Sequence, residues 1–228
     1  WSCSRRHIHP VFQFSLILGR NLYAGGHLSF ECRMNEPFEE LLTRVRACEI
    51  CTAELPLGPR PVVRGTPEAR ILLIGQAPGT RVHESGIPWN DASGERLRDW
   101  LKMSADDFYN ESKIAIVPMG FCYPGVDARG GDKPPRHECA PEWHPPLLAA
   151  LPKVQLTLLI GQYAQRRYLA KSRKKTLTET VRHWRDYAPD YLPLPHPSWR
   201  NNVWIKKNLW FTEEVLTELG GRVSDLFG

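Results

Sequence analysis

Three short apolar runs, broken only by Thr157 in the third, set what this chain can fold into. They are Ile71-Leu72-Leu73-Ile74, then Ile114-Ala115-Ile116-Val117, then the Leu-rich stretch at residues 155–161. Each closes on a glycine or proline: Gly75, Pro118 and Gly161. An apolar run of about four to eight residues with no polar alternation suits a strand buried on both faces, as in a parallel sheet covered by helices. Helical spacing appears between the runs. Phe38, Leu41, Leu42 and Val45 line one face behind Pro37, which is read near the first helical position. Leu97, Trp100 and Leu101 line another, with Ser93 as the expected N-cap. Further helices are read at residues 141–151, 162–171, 176–187 and 206–219. A fourth extended element at residues 191–195 is demoted by its prolines. Strands alternating with helices predict an α/β fold built on a parallel sheet.

In such sheets ligands sit outside the carboxyl ends of the strands. Three polar motifs fall there: Gly75-Gln76-Ala77-Pro78-Gly79, the loop around Phe121-Cys122-Tyr123, and His196-Pro197-Ser198-Trp199. Each alone reads as a turn, but three at one sheet edge predict a site. The second opens a long Gly- and Pro-rich loop, residues 119–140, of the length that usually serves a function.

Composition adds exclusions. With 228 residues, 42% hydrophobic and 24% charged, the chain has the makeup of a globular protein with a proper core. No stretch approaches the ~18 continuous apolar residues of a membrane helix, so the expectation is a soluble, cytoplasmic protein without membrane contact. Residues 1–33 hold four arginines and one acid, so they supply +3 of the net charge of +5 and the rest of the chain only +2. In that segment Arg5 and Arg6 precede an apolar patch at residues 11–18. Gln13 interrupts the patch and no small-residue cleavage site follows, so it does not read as a secretory signal. It is expected to be an N-terminal extension, either foreign to the native protein or an ordinary arm of it, with one domain of about 195 residues (34–228) starting at Met34.

Six cysteines are too few and too scattered for a disulfide-stapled scaffold. Cys3 and Cys32 lie in the extension. Cys48 and Cys51 form a C-x2-C pair, and Cys122 and Cys139 follow within the long loop. Four thiolates suit zinc or an iron–sulphur cluster; reduced, buried thiols are the alternative.

The ordered motifs resemble the uracil-DNA glycosylase superfamily, most closely its iron–sulphur branch, family four. The resemblance rests on Ile71-Leu72-Leu73-Ile74-Gly75-Gln76-Ala77-Pro78-Gly79, then Gly86-Ile87-Pro88-Trp89, then Ser93-Gly94-Glu95-Arg96-Leu97. It rests also on the spacing of the four cysteines and on Pro195-His196-Pro197-Ser198. It implies a three-layer α/β/α domain with a short, about four-stranded parallel sheet over residues 34–228. It implies a monomer that hydrolyses the N-glycosidic bond of uracil or another deaminated base in DNA. His196 then matches the histidine that donates to a uracil carbonyl, and Trp89 the aromatic that stacks on the flipped base. The backbone of Gln76 and Ala77 contacts the base, and the Gln76 side chain holds water. Ser198, Trp199, Arg200 and Asn201 press toward the DNA. The cysteines Cys48, Cys51, Cys122 and Cys139 hold a [4Fe–4S] cluster, with zinc or no metal as alternatives.

Two departures stand out. The first loop carries Gln76-Ala77 and no acid, so Asp91 is the nearest candidate carboxylate, with a helix-capping contact as its alternative role. The stretch after the second strand, Val117-Pro118-Met119-Gly120, lacks the branch's base-reading Asn. These departures keep two rivals in view: a nucleobase- or nucleic-acid-binding module without chemistry, and an enzyme for free nucleosides. A basic run at residues 166–175, and Lys206 and Lys207 beside Trp204 and Trp210, are further candidates for strand contact.

Overall fold

The computed structural model describes residues 36–128 and 130–228. The expected extension and start at Met34 therefore lie outside the described residues. The chain first forms α1 (Phe38–Arg46), with Pro37 as its N-cap residue and Leu41, Leu42 and Val45 buried. The first apolar run becomes β1 (Ile71–Ile74), followed by α2 (Thr80–Ser85), α3 (Ala92–Leu101) and α4 (Ala105–Tyr109). Then come β2 (Ile114–Ile116), α5 (Cys139–Ala149), β3 (Leu156–Ile160), α6 (Gln162–Leu169), α7 (Leu177–Arg182) and β4 (Tyr191–Leu194). A short α8 (Asn202–Lys207), a π-helical turn (Phe211–Val215) and α9 (Leu216–Phe227) complete it.

The four strands form one sheet in the order β2-β1-β3-β4, all parallel. Because side chains alternate along each strand, the sheet feeds two cores. Leu72, Ile74, Ala115, Val117 and Leu159 pack with Leu41, Val45, Trp143 and Leu147 on one face. Ile71, Leu73, Ile114, Ile116, Leu158 and Leu192 pack with Leu97, Val181, Phe211 and Leu219 on the other. Two helical layers around one sheet make the expected three-layer α/β/α fold. Each fully buried Leu or Ile contributes about 1.5–3 kcal/mol, which accounts for the apolar runs.

Some local expectations are corrected. The last strand is a full member of the sheet. Thr157 N–H donates to the Asp190 carbonyl and Gly161 N–H to that of Leu194. The even-numbered residues of β4 thus face β3, and Pro193 turns its missing donor outward at the edge. Helix α3 is capped by Asp91, not Ser93: Asp91 Oδ1 accepts from Gly94 N–H at 2.8 Å. The read helix at 176–187 is the short α7, capped by a Thr176–Glu179 capping box, and a 3-10 turn (Trp184–Tyr187). The single read helix at 206–219 is divided at Asn208, whose φ of −125° leaves the helical region. Among the described helices none is long and apolar enough to cross a membrane.

The chain leaves β1 toward β2 on one side and returns to the other for β3 and β4. The carboxyl ends of β1 and β3 therefore flank a topological switch point, where the first and third polar motifs converge.

Candidate active site

A cleft of about 540 Å³ opens at that edge. Its lining includes nine of the residues singled out in the sequence: Gln76, Ala77, Trp89, Asp91, His196, Ser198, Trp199, Arg200 and Asn201. The loop after β1 is tied to the loop after β2, since Met119 N–H donates to Gly75 C=O and Gly120 N–H to Gln76 C=O, both at 2.9 Å. Among the described residues the N–H groups of Gln76 and Ala77 have no partner within the protein. They are donors left for whatever enters the cleft. The Gln76 side chain is partly committed, as its Nε2 donates to the Lys133 carbonyl at 3.4 Å.

Trp89 is held by its surroundings in a conformation that non-glycine residues rarely adopt, with φ of +58°. Its carbonyl accepts from Tyr109 Oη at 3.3 Å and Arg98 Nη1 at 3.4 Å. Two glycines make room for it. A Cβ on Gly75 would lie 2.9 Å from the Trp89 ring, and one on Gly94 would lie 1.7 Å from the Trp89 carbonyl oxygen. The indole consequently lies near His196, with ring centroids 5.5 Å apart and planes inclined by 33°.

His196 is half-buried at the end of β4. Burial pulls its imidazole below the usual histidine range; the Asp91 and Asp132 carboxylates oppose that shift and Arg200 adds to it. A neutral imidazole offers one N–H donor and one lone pair. The segment after it is pinned. Asn201 Nδ2 donates to the His196 carbonyl at 2.7 Å, Arg96 Nη1 to Ser198 C=O at 3.1 Å, and Arg200 N–H to Ser198 Oγ at 3.2 Å. Asn201 thus spends its amide N–H on the turn. Trp199 stays 70% exposed, with the Arg200 guanidinium 5.7 Å from its ring centre.

Two participants went unread in the sequence. Asp132 reaches the cleft from the long loop; a lone Asp among Gly and Pro gives no signal beyond turn chemistry. His144 is buried in α5 and supports the cleft floor. Its Nε2 lies 2.9 Å from the Pro118 carbonyl, which can only accept, so Nε2 carries the proton and Nδ1 faces the Tyr168 hydroxyl. Burial pushes His144 down to about 4. It braces the stretch where the branch's Asn is missing.

Other surfaces are less available than the sequence suggested. Trp204 and Trp210 pack on each other and on Phe211, with centroids 5.4 to 6.5 Å apart. Within the basic run, Arg167 donates to Ala140 C=O and Lys174 pairs with Asp186 at 2.6 Å. Asp186 precedes β4, so that end of the run lies toward the amino edge of the sheet, away from the cleft.

The four cysteines gather at the start of α5 and the long loop. Cys51, Cys122 and Cys139 are buried and Cys48 is half-buried. Cys51 hydrogen-bonds to Cys139; Cys51 also feels Cys48, and Cys139 feels all three other cysteines. Burial pushes Cys122 up to about 11 and Cys139 up to about 12. Main-chain groups of Arg60 and Phe121 hydrogen-bond to Cys122 and Cys139, and Trp143 Nε1 donates to Cys48 Sγ at 3.3 Å. Among the described residues no three His, Cys, Asp or Glu side chains are grouped as ligands of one metal ion. What the four positions share is donor chemistry: thiols near one another with hydrogen bonds to sulphur, the ligand type that an iron–sulphur cluster takes.

Compared with known families, the chain matches the model described as the Uracil DNA glycosylase superfamily over residues 62–220, a span that holds the whole sheet and every loop of the cleft.

Proposed function

Because the chain belongs to the uracil-DNA glycosylase superfamily, we propose that it is a DNA N-glycosylase that removes uracil or another deaminated base. The observation that carries this reading is the cleft at the switch point. There a neutral His196, the Trp89 ring and the unpartnered N–H groups of Gln76 and Ala77 face one space.

A base inside a duplex cannot be reached, so it must be flipped into the cleft. Trp199, exposed at the rim and backed by Arg200, fills the gap left in the stack. Trp89 supports the flipped base, and the Gln76 and Ala77 amides hydrogen-bond to it. As the C1′–N bond breaks, its electron pair moves to the base, and negative charge grows on a base carbonyl oxygen. The His196 N–H donates to that oxygen. Neutral imidazole keeps one N–H to donate, and that bond strengthens as charge develops on the oxygen. Fixed donors aimed at developing charge are commonly the largest catalytic contribution. Asp91, with one oxygen on the α3 cap, adds negative charge near the electron-poor sugar.

The same proposal gives Cys48, Cys51, Cys122 and Cys139 to a [4Fe–4S] cluster. When bound it supplies a structural tie between the segment after α1, the long loop and α5. Burial would oppose bare thiolates there, and a cationic core offsets that cost.

A second reading is supported by the missing Asn after β2: a nucleobase-binding protein of this fold without cleavage. One panel separates them. Single- and double-stranded oligonucleotides carrying uracil, hypoxanthine or xanthine should yield free base and an abasic site from at least one member. Tight, modified-base-selective binding with no release from any member would favour the second reading.

A further inference from the structure

We infer that Asp132, from the long loop, is a catalytic residue of this cleft: the carboxylate that orients and deprotonates the attacking water. This rests on the glycosylase reading. Three side chains in the cleft compete for that role. Gln76 is an amide, so it cannot take a proton, and its Nε2 is already on the Lys133 carbonyl. Asp91 has Oδ1 committed to the α3 N-terminus at 2.8 Å. Asp132 lines the same cleft, and among the described residues its carboxylate has no hydrogen-bond or ion-pair partner.

Its placement is built by the main chain. Asp127 N–H donates to Gly131 C=O at 2.7 Å and Gly130 N–H to Asp127 C=O at 3.0 Å, closing a turn in which Gly130 takes a φ of +74°. Gly131 N–H donates to Asp127 Oδ1 at 3.0 Å. Val126 and Asp132 then pair across an antiparallel bridge, and Lys133 N–H donates to Gly125 C=O at 2.9 Å. The backbone on both sides of Asp132 is thus fixed while its side chain is left exposed at the cleft. Gln76 bonds to the very next residue, so its amide positions Asp132, and the missing acid of the first loop is replaced from another loop. The Asp132 charge also reaches His196 across the cleft.

The C1′–N bond breaks and its electron pair goes to the base, held by the His196 N–H. A water oxygen bonds to C1′ and gives one proton to Asp132. The products are a C1′ hydroxyl and a base anion, which takes up the proton on release.

The test is single-turnover excision on the best oligonucleotide of the panel, with full-length protein. Asp132→Asn should slow excision by about 10²-fold or more, with unchanged affinity for abasic product DNA and an unchanged melting temperature. Sodium formate should restore part of the rate to Asp132→Ala. Gln76→Ala should slow the wild type but not slow Asp132→Asn further. Excision by Asp132→Asn at the wild-type rate would overturn the assignment and leave the glycosylase reading intact. So would a loss that formate does not restore and that follows weakened DNA affinity. A wild type that releases no base from any oligonucleotide would overturn both.

Discussion

At Gly94 one hydrogen in place of a methyl decides where the cleft's aromatic wall stands. The Trp89 carbonyl occupies the space that a Cβ would need, at 1.7 Å, and a backbone atom cannot swing aside as a side-chain tip can. Gly94→Ala should cost about 1–3 kcal/mol as an overpacked site, and should slow excision because Trp89 moves relative to His196. Thermal melting and single-turnover rates check this. A variant with wild-type melting and rate would show that the Trp89 placement is slack. At this scale the sequence was informative where residues sit in ordered motifs. His196, Trp89 and Gln76 were legible because the runs around them keep order and spacing. Asp132 was not, since its place in the cleft depends on a turn between Asp127 and Gly131 and on Gln76, which is remote in sequence. His144 was invisible for the same reason: a lone His on a helix says nothing of the Pro118 carbonyl above it.

Among the elements, the strands were the most legible, because burial on both faces leaves an apolar run with no alternation. Helix α1 was read nearly to its bounds from its apolar face. The short α2 and α4 were not read, because five or six residues give too little periodicity to register. β4 was undervalued because Pro193 looks disruptive until its outward-facing edge position is known. The cysteines join separate pieces: the segment after α1, the long loop, and the first residue of α5. If a cluster holds them, anaerobically purified protein should contain about four iron and four sulphide per chain. Cys122→Ala should lose the iron and the visible absorbance and melt at a lower temperature. Iron-free protein that melts as high as the iron-loaded form would remove the cluster from this account.

For the whole molecule, charge is a local matter. Most of the net +5 belongs to residues 1–33, and the described domain is nearly neutral. One end of the basic run at 166–175 lies toward the amino edge of the sheet, with Lys174 paired to Asp186. The proposed reading therefore puts DNA contact at the opposite edge, where Arg200 and the exposed Trp199 frame the cleft. The sheet order places the loops after β1 and β4 and the long loop's Asp132 around one space, which no single motif could reveal. The most direct test of the account is single-turnover base release from a duplex carrying the preferred deaminated base, comparing wild type with His196→Ala. Free base and abasic DNA are expected from the wild type, with a rate about 10²–10³-fold lower from the variant, the cost of removing one donor from a developing anion. Equal rates from the two proteins, or no base released by the wild type, would contradict the account.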